Sequence, residues 1–205
     1  MKLTTELDKM TKLVRSRRAI RRYTDEAVPQ ELLEHLLETA TWSPSAHNRQ
    51  PWRFAVLTDF ADKAGLANGM GARLRRDRTA DNDSPDAIER DVQRSYARIT
   101  GAPVVIIICS SLVDMDVYGD KRRDEAERVM AIQSVSMAAQ NLWLLAHSAG
   151  LGCSWMCAPL FVPDLVVELL DLQKDWEPQG LMTLGWPAEE KTKTRHPTSD
   201  KVKFL

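Results

Sequence analysis

Apolar positions along the chain alternate between helical and strand-like spacing, and the alternation itself outlines the fold. From about Thr4 to Arg17 apolar residues fall at Leu7, Met10 and Val14, with Leu3 ahead of them, which is the spacing of a helix. Pro29 opens the segment Gln30–Ala40, whose pairs Leu32/Leu33 and Leu36/Leu37 draw an apolar stripe along a second helix. Phe60 to Arg76 reads as a third helix of mixed polarity. Asp81-Asn-Asp-Ser-Pro85 is a turn, with Ser84 placed as an N-cap and Pro85 at the first position of a charged helix over Asp86 to Thr100. Gly101 ends that helix. The longest helical pattern runs from Asp120 to Ser148, where Val129, Ile132, Val135, Ala139, Leu142 and Ala146 recur at three- and four-residue spacing. Met130, Met137, Trp143 and Leu145 widen its stripe until little of the second half is polar. Such a helix belongs in a large core or at a subunit interface. Pro163 to Asp171 predicts a short last helix.

Between these helices lie four runs with strand character: Phe54–Leu57, Pro103–Cys109, Leu151–Cys157 after the stop at Gly150, and Gly180–Gly185. Pro103-Val-Val-Ile-Ile-Ile-Cys109 is β-branched and apolar on both faces, as a central buried strand requires. The chain carries no internal repeat, low-complexity tract or linker, so residues 1–205 are read as one α+β domain. Its last residues, Lys201-Val-Lys-Phe-Leu205, end apolar and predict packing against something, a second subunit included.

Composition changes this picture little. A chain of 205 residues with 43% hydrophobic and 28% charged residues is an ordinary globular composition. The net charge of −1 gives no reason to expect nucleic acid or an anionic membrane surface as a partner. No apolar run approaches the length of a membrane span, and Glu6 and Asp8 argue against a transit peptide. A cytoplasmic protein is the expectation. The three cysteines, Cys109, Cys153 and Cys157, sit in apolar stretches and do not form a disulfide framework. Cys153 and Cys157 would face one side of a strand as packing thiols.

Candidate chemistry gathers in two places. Thr41-Trp-Ser-Pro-Ser-Ala-His-Asn-Arg-Gln-Pro-Trp-Arg-Phe54 lies between a helix and a strand, and Pro44 and Pro51 forbid a continuous helix there. Ser43, Ser45 and Asn48 can bond nearby backbone and fix a polar loop, while Trp42, Trp52 and Phe54 wall it. A rigid polar loop with aromatic walls suits a planar, partly polar ligand. Arg15-Ser-Arg-Arg-Ala-Ile-Arg-Arg22 places five arginines within eight residues at the end of the first helix. This is either a solvated face or a set of forks for a phosphate, and Arg195, after Lys191 and Lys193, is a second basic element far along the chain. The four histidines, His35, His47, His147 and His196, show no ligand spacing, so no metal is expected. No nucleophile–base pairing stands out. Gly69-Met-Gly71 lacks the third glycine of a dinucleotide fingerprint.

Arg17-Arg-Ala-Ile-Arg-Arg-Tyr-Thr24, Ser43-Pro-Ser-Ala-His-Asn-Arg-Gln-Pro-Trp52 and Gly150-Leu-Gly-Cys-Ser-Trp155 together resemble the nitroreductase family of flavoproteins, in order, from Arg17 to about His196. The resemblance is closest to the reductase domain at the C-terminus of the bifunctional glutamyl ligase of coenzyme F-420. It is carried there by Met70 to Val105, Ala126 to Val135, Cys153 to Met156 and Leu170 to Gly180. The ligase domain itself has no counterpart in this sequence.

The resemblance implies an α+β sandwich with a central antiparallel-rich sheet flanked by helices, an intertwined homodimer, and FMN at sites formed by both subunits. Arg17, Arg18 and Arg21 would hold the phosphate and ribityl chain, flanking Ala19 and Ile20, with Arg195 closing from the C-terminal side. Ser45, in the same loop as Asn48, would meet the isoalloxazine ring, commonly from the partner subunit. The strand carrying Met156 would lie beside the ring and offer a backbone N–H. Ala19 stands where many relatives have serine. Catalysis would belong to the flavin, with no catalytic side chain, and NAD(P)H would bind transiently over it. Arg73, Arg75, Arg76 and Arg78 are either a solvated face balanced by Asp81, Asp83 and Asp86, or an anion-attracting lid in which Arg75, Arg76 and Asp77 touch the substrate. The implied function is an FMN-dependent oxidoreductase reducing a dehydro precursor in deazaflavin coenzyme F-420 biosynthesis. The alternatives are a general reductase of nitroaromatics or quinones, and a non-catalytic flavin- or deazaflavin-binding protein.

Overall fold

A computed structural model describes residues 4–205; Leu3, the first apolar position assigned to the N-terminal helix, lies outside them. The architecture is built on the run Val104–Ser110 (β2), every residue of which is buried. The sheet order is β1-β2-β4-β3, with β1 at Trp52–Leu57, β3 at Gly152–Met156 and β4 at Glu177–Gly185, and each neighbouring pair is antiparallel. β2 is apolar on both faces because helices cover both. Val104, Ile106 and Ile108 meet Gln30–Ala40 (α2) and Lys121–Ser148 (α5), while Val105, Ile107 and Cys109 meet Phe60–Ala80 (α3) and Pro163–Leu169 (α6). Burying each such valine or isoleucine contributes about 1.5–3 kcal/mol. Pro85–Thr100 (α4) packs on α3, and Thr5–Ser16 (α1) lies against α5.

Several element ends differ from the sequence reading. β1 begins at Trp52 and β4 at Glu177, ahead of the expected Phe54 and Gly180, while α3 runs on to Ala80, beyond Arg76. β4 contains Pro178, whose missing N–H argues against a strand in sequence. In the sheet Pro178 faces Cys109 immediately after a register shift between Ile108 and Cys109, where the ladder is already interrupted. Ser84 occupies the N-cap of α4 without a side-chain bond, whereas the caps at Thr4, Asp59 and Asp120 do accept backbone N–H groups.

α5 is the helix to set against the expectation that no apolar run approaches a membrane span. It is long and apolar enough by composition to cross a membrane, with a mean hydropathy of 1.2 over its most apolar window. Here it packs against α2 and the sheet through Val135, Ala138, Ala139, Leu142 and Ala146, and 39% of that window is buried. Gly150 ends the turn after it with φ +84, a conformation a Cβ would strain.

Candidate functional site

The arginine run is fixed in space by the open edge of the sheet. After α1 the chain runs parallel to β3: Ala19 pairs with Cys153, and the Ile20 N–H donates to the Cys153 carbonyl at 2.8 Å. Ile20 approaches so closely that a Cβ on Gly152 would stand 2.7 Å from it, so this position needs glycine. Downstream, Thr24 N–H donates to Trp186 C=O at 2.9 Å and Ala188 N–H to Arg22 C=O at 3.0 Å. The Tyr23 hydroxyl lies 2.6 Å from the Ile20 carbonyl and 2.7 Å from the Thr183 hydroxyl, and burial pushes its pKa up. A basic segment that would otherwise be solvated is thus tied to the sheet by two isolated bridges, Ala19 to Cys153 and Tyr23 to Pro187.

Beside it opens a cleft of about 620 Å³ lined by Arg15, Arg17, Arg18, Lys193 and Arg195, with Val14, Gln140 and Thr194 between them. Five cationic side chains meet there, no carboxylate lines the cleft, and none of the five forms an ion pair among the described residues. The Arg17 guanidinium stacks 4.3 Å from the centre of the Trp143 ring. Its pKa is lowered, first by burial and then by the charges of Arg195 and Arg18. Arg18 donates to the carbonyls of Arg15 at 2.6 Å, Arg17 at 2.8 Å and Lys193 at 3.3 Å, while its buried Nε has no partner. Like charges gathered without a counter-ion, with an unused guanidinium donor, make a receptor for a polyanionic oxygen group such as phosphate. Arg21 is placed differently from Arg17 and Arg18. Its backbone N–H donates to Glu189 at 2.7 Å, and its charge bears on Arg98 of α4 rather than lining the cleft.

The loop of Ser45 and Asn48 does not reach this cleft within one chain. It is anchored on α5, where the Asn141 amide donates to Ser43 Oγ at 2.6 Å and the Ala46 N–H to Ser134 Oγ at 3.3 Å. His47, Asn48 and Gln50 all take positive φ, between 49° and 54°, conformations sustained by these anchors and by the bond from Gln50 N–H to Ser45 Oγ at 3.1 Å. Of the two α5 anchors, Asn141 holds Ser43 close to Trp143, whereas Ser134, which holds Ala46 next to Ser45, stands about 13 Å of helix away from it.

On β3, because the Cys153 carbonyl faces Ile20, the alternation of an antiparallel ladder turns the Met156 N–H towards Leu181 of β4. The N–H that the open edge presents is therefore that of Trp155. Sequence alone could not assign the phase of that alternation.

The family model for nitroreductases matches residues 14–186. The chain belongs to the nitroreductase family. Among its relatives are an NAD(P)H nitroreductase of Bacillus subtilis, 27% identical over 92% of this chain and 90% of that protein, and the 5,6-dimethylbenzimidazole synthase of Rhodospirillum rubrum, 29% identical over 89% and 84%. A Desulfovibrio desulfuricans structure, described as a nitroreductase in complex with FMN, shares the fold with a TM-score of 0.73, covering 100% of this chain and 98% of that one at 24% identity.

Two expectations change within this nitroreductase frame. Three of the four arginines of the α3 cluster are ion-paired: Arg75 forks onto Glu89 at 2.9 and 3.0 Å, Arg76 onto Asp77 at 2.9 and 2.7 Å, and Arg78 bridges Asp83 and Asp91. Hydrogen bonding to Arg75 and Gln93 pulls the Glu89 carboxyl down to about 2, so this pairing persists across ordinary pH. Arg75 and Arg76 are thus held in surface ion pairs rather than presented as isolated charges. Arg73 and Asp77 instead border a small, mainly apolar pocket of about 100 Å³ with Met70, Leu74, Val92 and Phe161. The cysteines also part company, because Cys153 is buried, with its thiol pKa raised, whereas Cys157 is exposed and its Sγ accepts from Trp155 Nε1 at 3.1 Å.

Proposed function

We propose that this nitroreductase-family protein is an FMN-dependent oxidoreductase that works as a homodimer, takes electrons from NAD(P)H and passes them to a small planar acceptor such as a quinone or nitroaromatic. The observation that carries this reading is the uncompensated cationic cleft fixed to the free edge of β3. Arg17, Arg18 and Arg195 would clamp the FMN phosphate, and Lys193 and Arg15 would complete its neutralisation. The Trp155 N–H on the open edge would donate to the ring. Ser45 and Asn48, too far from the cleft in one chain, would come from the partner. FMN held there would supply hydride acceptance and donation, while these side chains bind and orient it and exclude water. The relatives named NAD(P)H nitroreductase support the donor and the acceptor class.

A narrower reading, reduction of a dehydro precursor of coenzyme F-420, rests on the resemblance of residues 70–105, 126–135 and 170–180 and on Asp77 at the apolar pocket of α3. The pairing of Arg75, Arg76 and Arg78 weakens it, because it leaves Arg73 as the one arginine of the cluster outside an ion pair among the described residues. Comparing reoxidation of the reduced protein by menadione, a nitroaromatic and the dehydro precursor separates the two.

The test of the main reading is the purified protein itself. Visible flavin absorbance near one FMN per chain is expected, with FMN binding at least tenfold tighter than riboflavin because only FMN offers a phosphate. A colourless protein that takes up neither compound, or takes up both equally, refutes the cleft as a phosphate clamp.

A further inference from the structure

The loop that carries Ser45 holds a second group of chemistry-bearing side chains outside the cationic cleft. A ring nitrogen of His47 and carboxylate oxygens of Asp116 and Glu127 all lie within 4.8 Å of one another. They come from three separate segments: the 46–48 turn, the connection between β2 and α5, and the second turn of α5. Glu127 is only 4% exposed, and its buried Oε2 has no hydrogen-bond partner. A carboxylate taken out of water without a donor or a cation is costly, so this oxygen marks a missing positive partner. Asp116 already receives Arg49, whose guanidinium stands at the rim of the same group. No described side chain donates to Glu127.

We propose that His47, Asp116 and Glu127 form a binding site for one divalent transition-metal ion of the zinc type. One imidazole nitrogen and two carboxylate oxygens are the donor set such an ion takes, with solvent completing the shell. Held at about 2.1 Å in a tetrahedron, donors stand about 3.4 Å apart, so the group must close by roughly an ångström. Exposed His47 and half-buried Asp116 lie outside the long helices, and buried Glu127 sits on α5. Binding converts Glu127 from an unpaired buried charge into a ligand and releases Asp116 from Arg49. It also staples the 46–48 turn, with its left-handed residues, to α5, fixing the loop of Ser45 and Asn48.

The probe is Zn²⁺, titrated calorimetrically into the full-length protein after chelator treatment and dialysis, with whatever flavin it carries retained. One ion per chain is expected. His47→Ala and Glu127→Gln should each weaken binding at least tenfold, His35→Ala on the exposed face of α2 should leave it unchanged, and Arg49→Gln should tighten it by removing the competitor for Asp116. Co²⁺ substituted at the site should show visible absorbance that His47→Ala removes. Absence of Zn²⁺ binding overturns the proposal, as does binding that survives His47→Ala or is lost equally in His35→Ala. Circular dichroism checks that Glu127→Gln folds; if it does not, the exposed His47 still decides the outcome.

Discussion

Arg17 and Arg18 show how a residue type acquires a role from its surroundings. Both are arginines in a run that composition alone would call solvated, yet one lies against Trp143 and the other is packed with an unused Nε. Losing a charge-assisted hydrogen bond to phosphate costs about 1.5–3 kcal/mol, roughly ten- to hundredfold in affinity. Arg18→Ala is therefore expected to weaken FMN by that factor while leaving riboflavin almost untouched, and fluorescence titration of both ligands checks it. Equal losses for the two would mean that Arg18 supports the fold rather than the phosphate. His147 reports on the same charges from outside the cleft. It sits 2.8 Å from Ser16 Oγ, and its pKa is held below the ordinary 6.5, first by burial and then by Arg17 and Arg18. A base whose folded pKa is depressed takes up a proton more readily when unfolded. Its contribution is present above pH 6.5 and is lost as the pH falls from there towards the lowered value. Urea midpoints should accordingly fall less between pH 7.5 and 5.5 in His147→Asn than in the parent. A phosphate bound to the arginines should flatten the parent's dependence in the same direction.

At the scale of elements, the decisive contact is between the segment 17–21 and β3. A Cβ at position 152 would collide with Ile20 Cβ and Cγ2 at 2.7 Å, and neither atom belongs to a flexible chain end. Gly152→Ala is expected to cost about 1–3 kcal/mol by overpacking and to loosen FMN more than a remote mutation of equal cost, such as Ile99→Val, would. Equal FMN affinity in both variants would show that the segment does not depend on β3 for its position. The elements themselves were legible where their causes are local. The run 103–109 announces a buried central strand, and Gly150 announces the end of α5. What could not be read depends on partners remote in the chain. Pro178 looks like a strand breaker until a register shift opposite it removes the need for its N–H. Arg75 looks available until Glu89 of the next helix takes it. His47, Asp116 and Glu127 look unrelated until three separate segments bring them within 4.8 Å of one another. The phase of β3, which turns the Trp155 N–H rather than that of Met156 to the open edge, is set by Ile20. Arg195 was legible as a second basic element after Lys191 and Lys193, but only the fold brings it to the arginine run.

At the scale of the whole molecule, what remains uncovered is as informative as what is packed. α1 buries no residue, and Leu7, Met10 and Val14 face outwards along one stripe. Trp42 is 81% exposed, Phe204 is 94% exposed, and α5 leaves Val129 and Met137 open. One chain exposing so many large apolar side chains, with a half-covered central helix, offers the kind of surface that the proposed homodimer would bury. The Ser45 loop is in keeping with that proposal, since the Ser134 anchor beside Ser45 stands about 13 Å along α5 from Trp143, on which Arg17 stacks. Light scattering after gel filtration should give twice the 23.2 kDa of one chain. Leu7→Glu combined with Met10→Glu places two charges on the bare stripe of α1, where burial would leave them unpaired, and is expected to shift the mass towards one chain. Both positions are exposed in the isolated subunit, so its circular dichroism should not change. If the flavin site needs Ser45 and Asn48 from the partner, the dissociated variant must also lose most of its FMN although every cleft arginine is intact. A parent protein that runs as a single chain refutes the dimer. A dissociated variant that keeps its FMN places the whole site within one subunit.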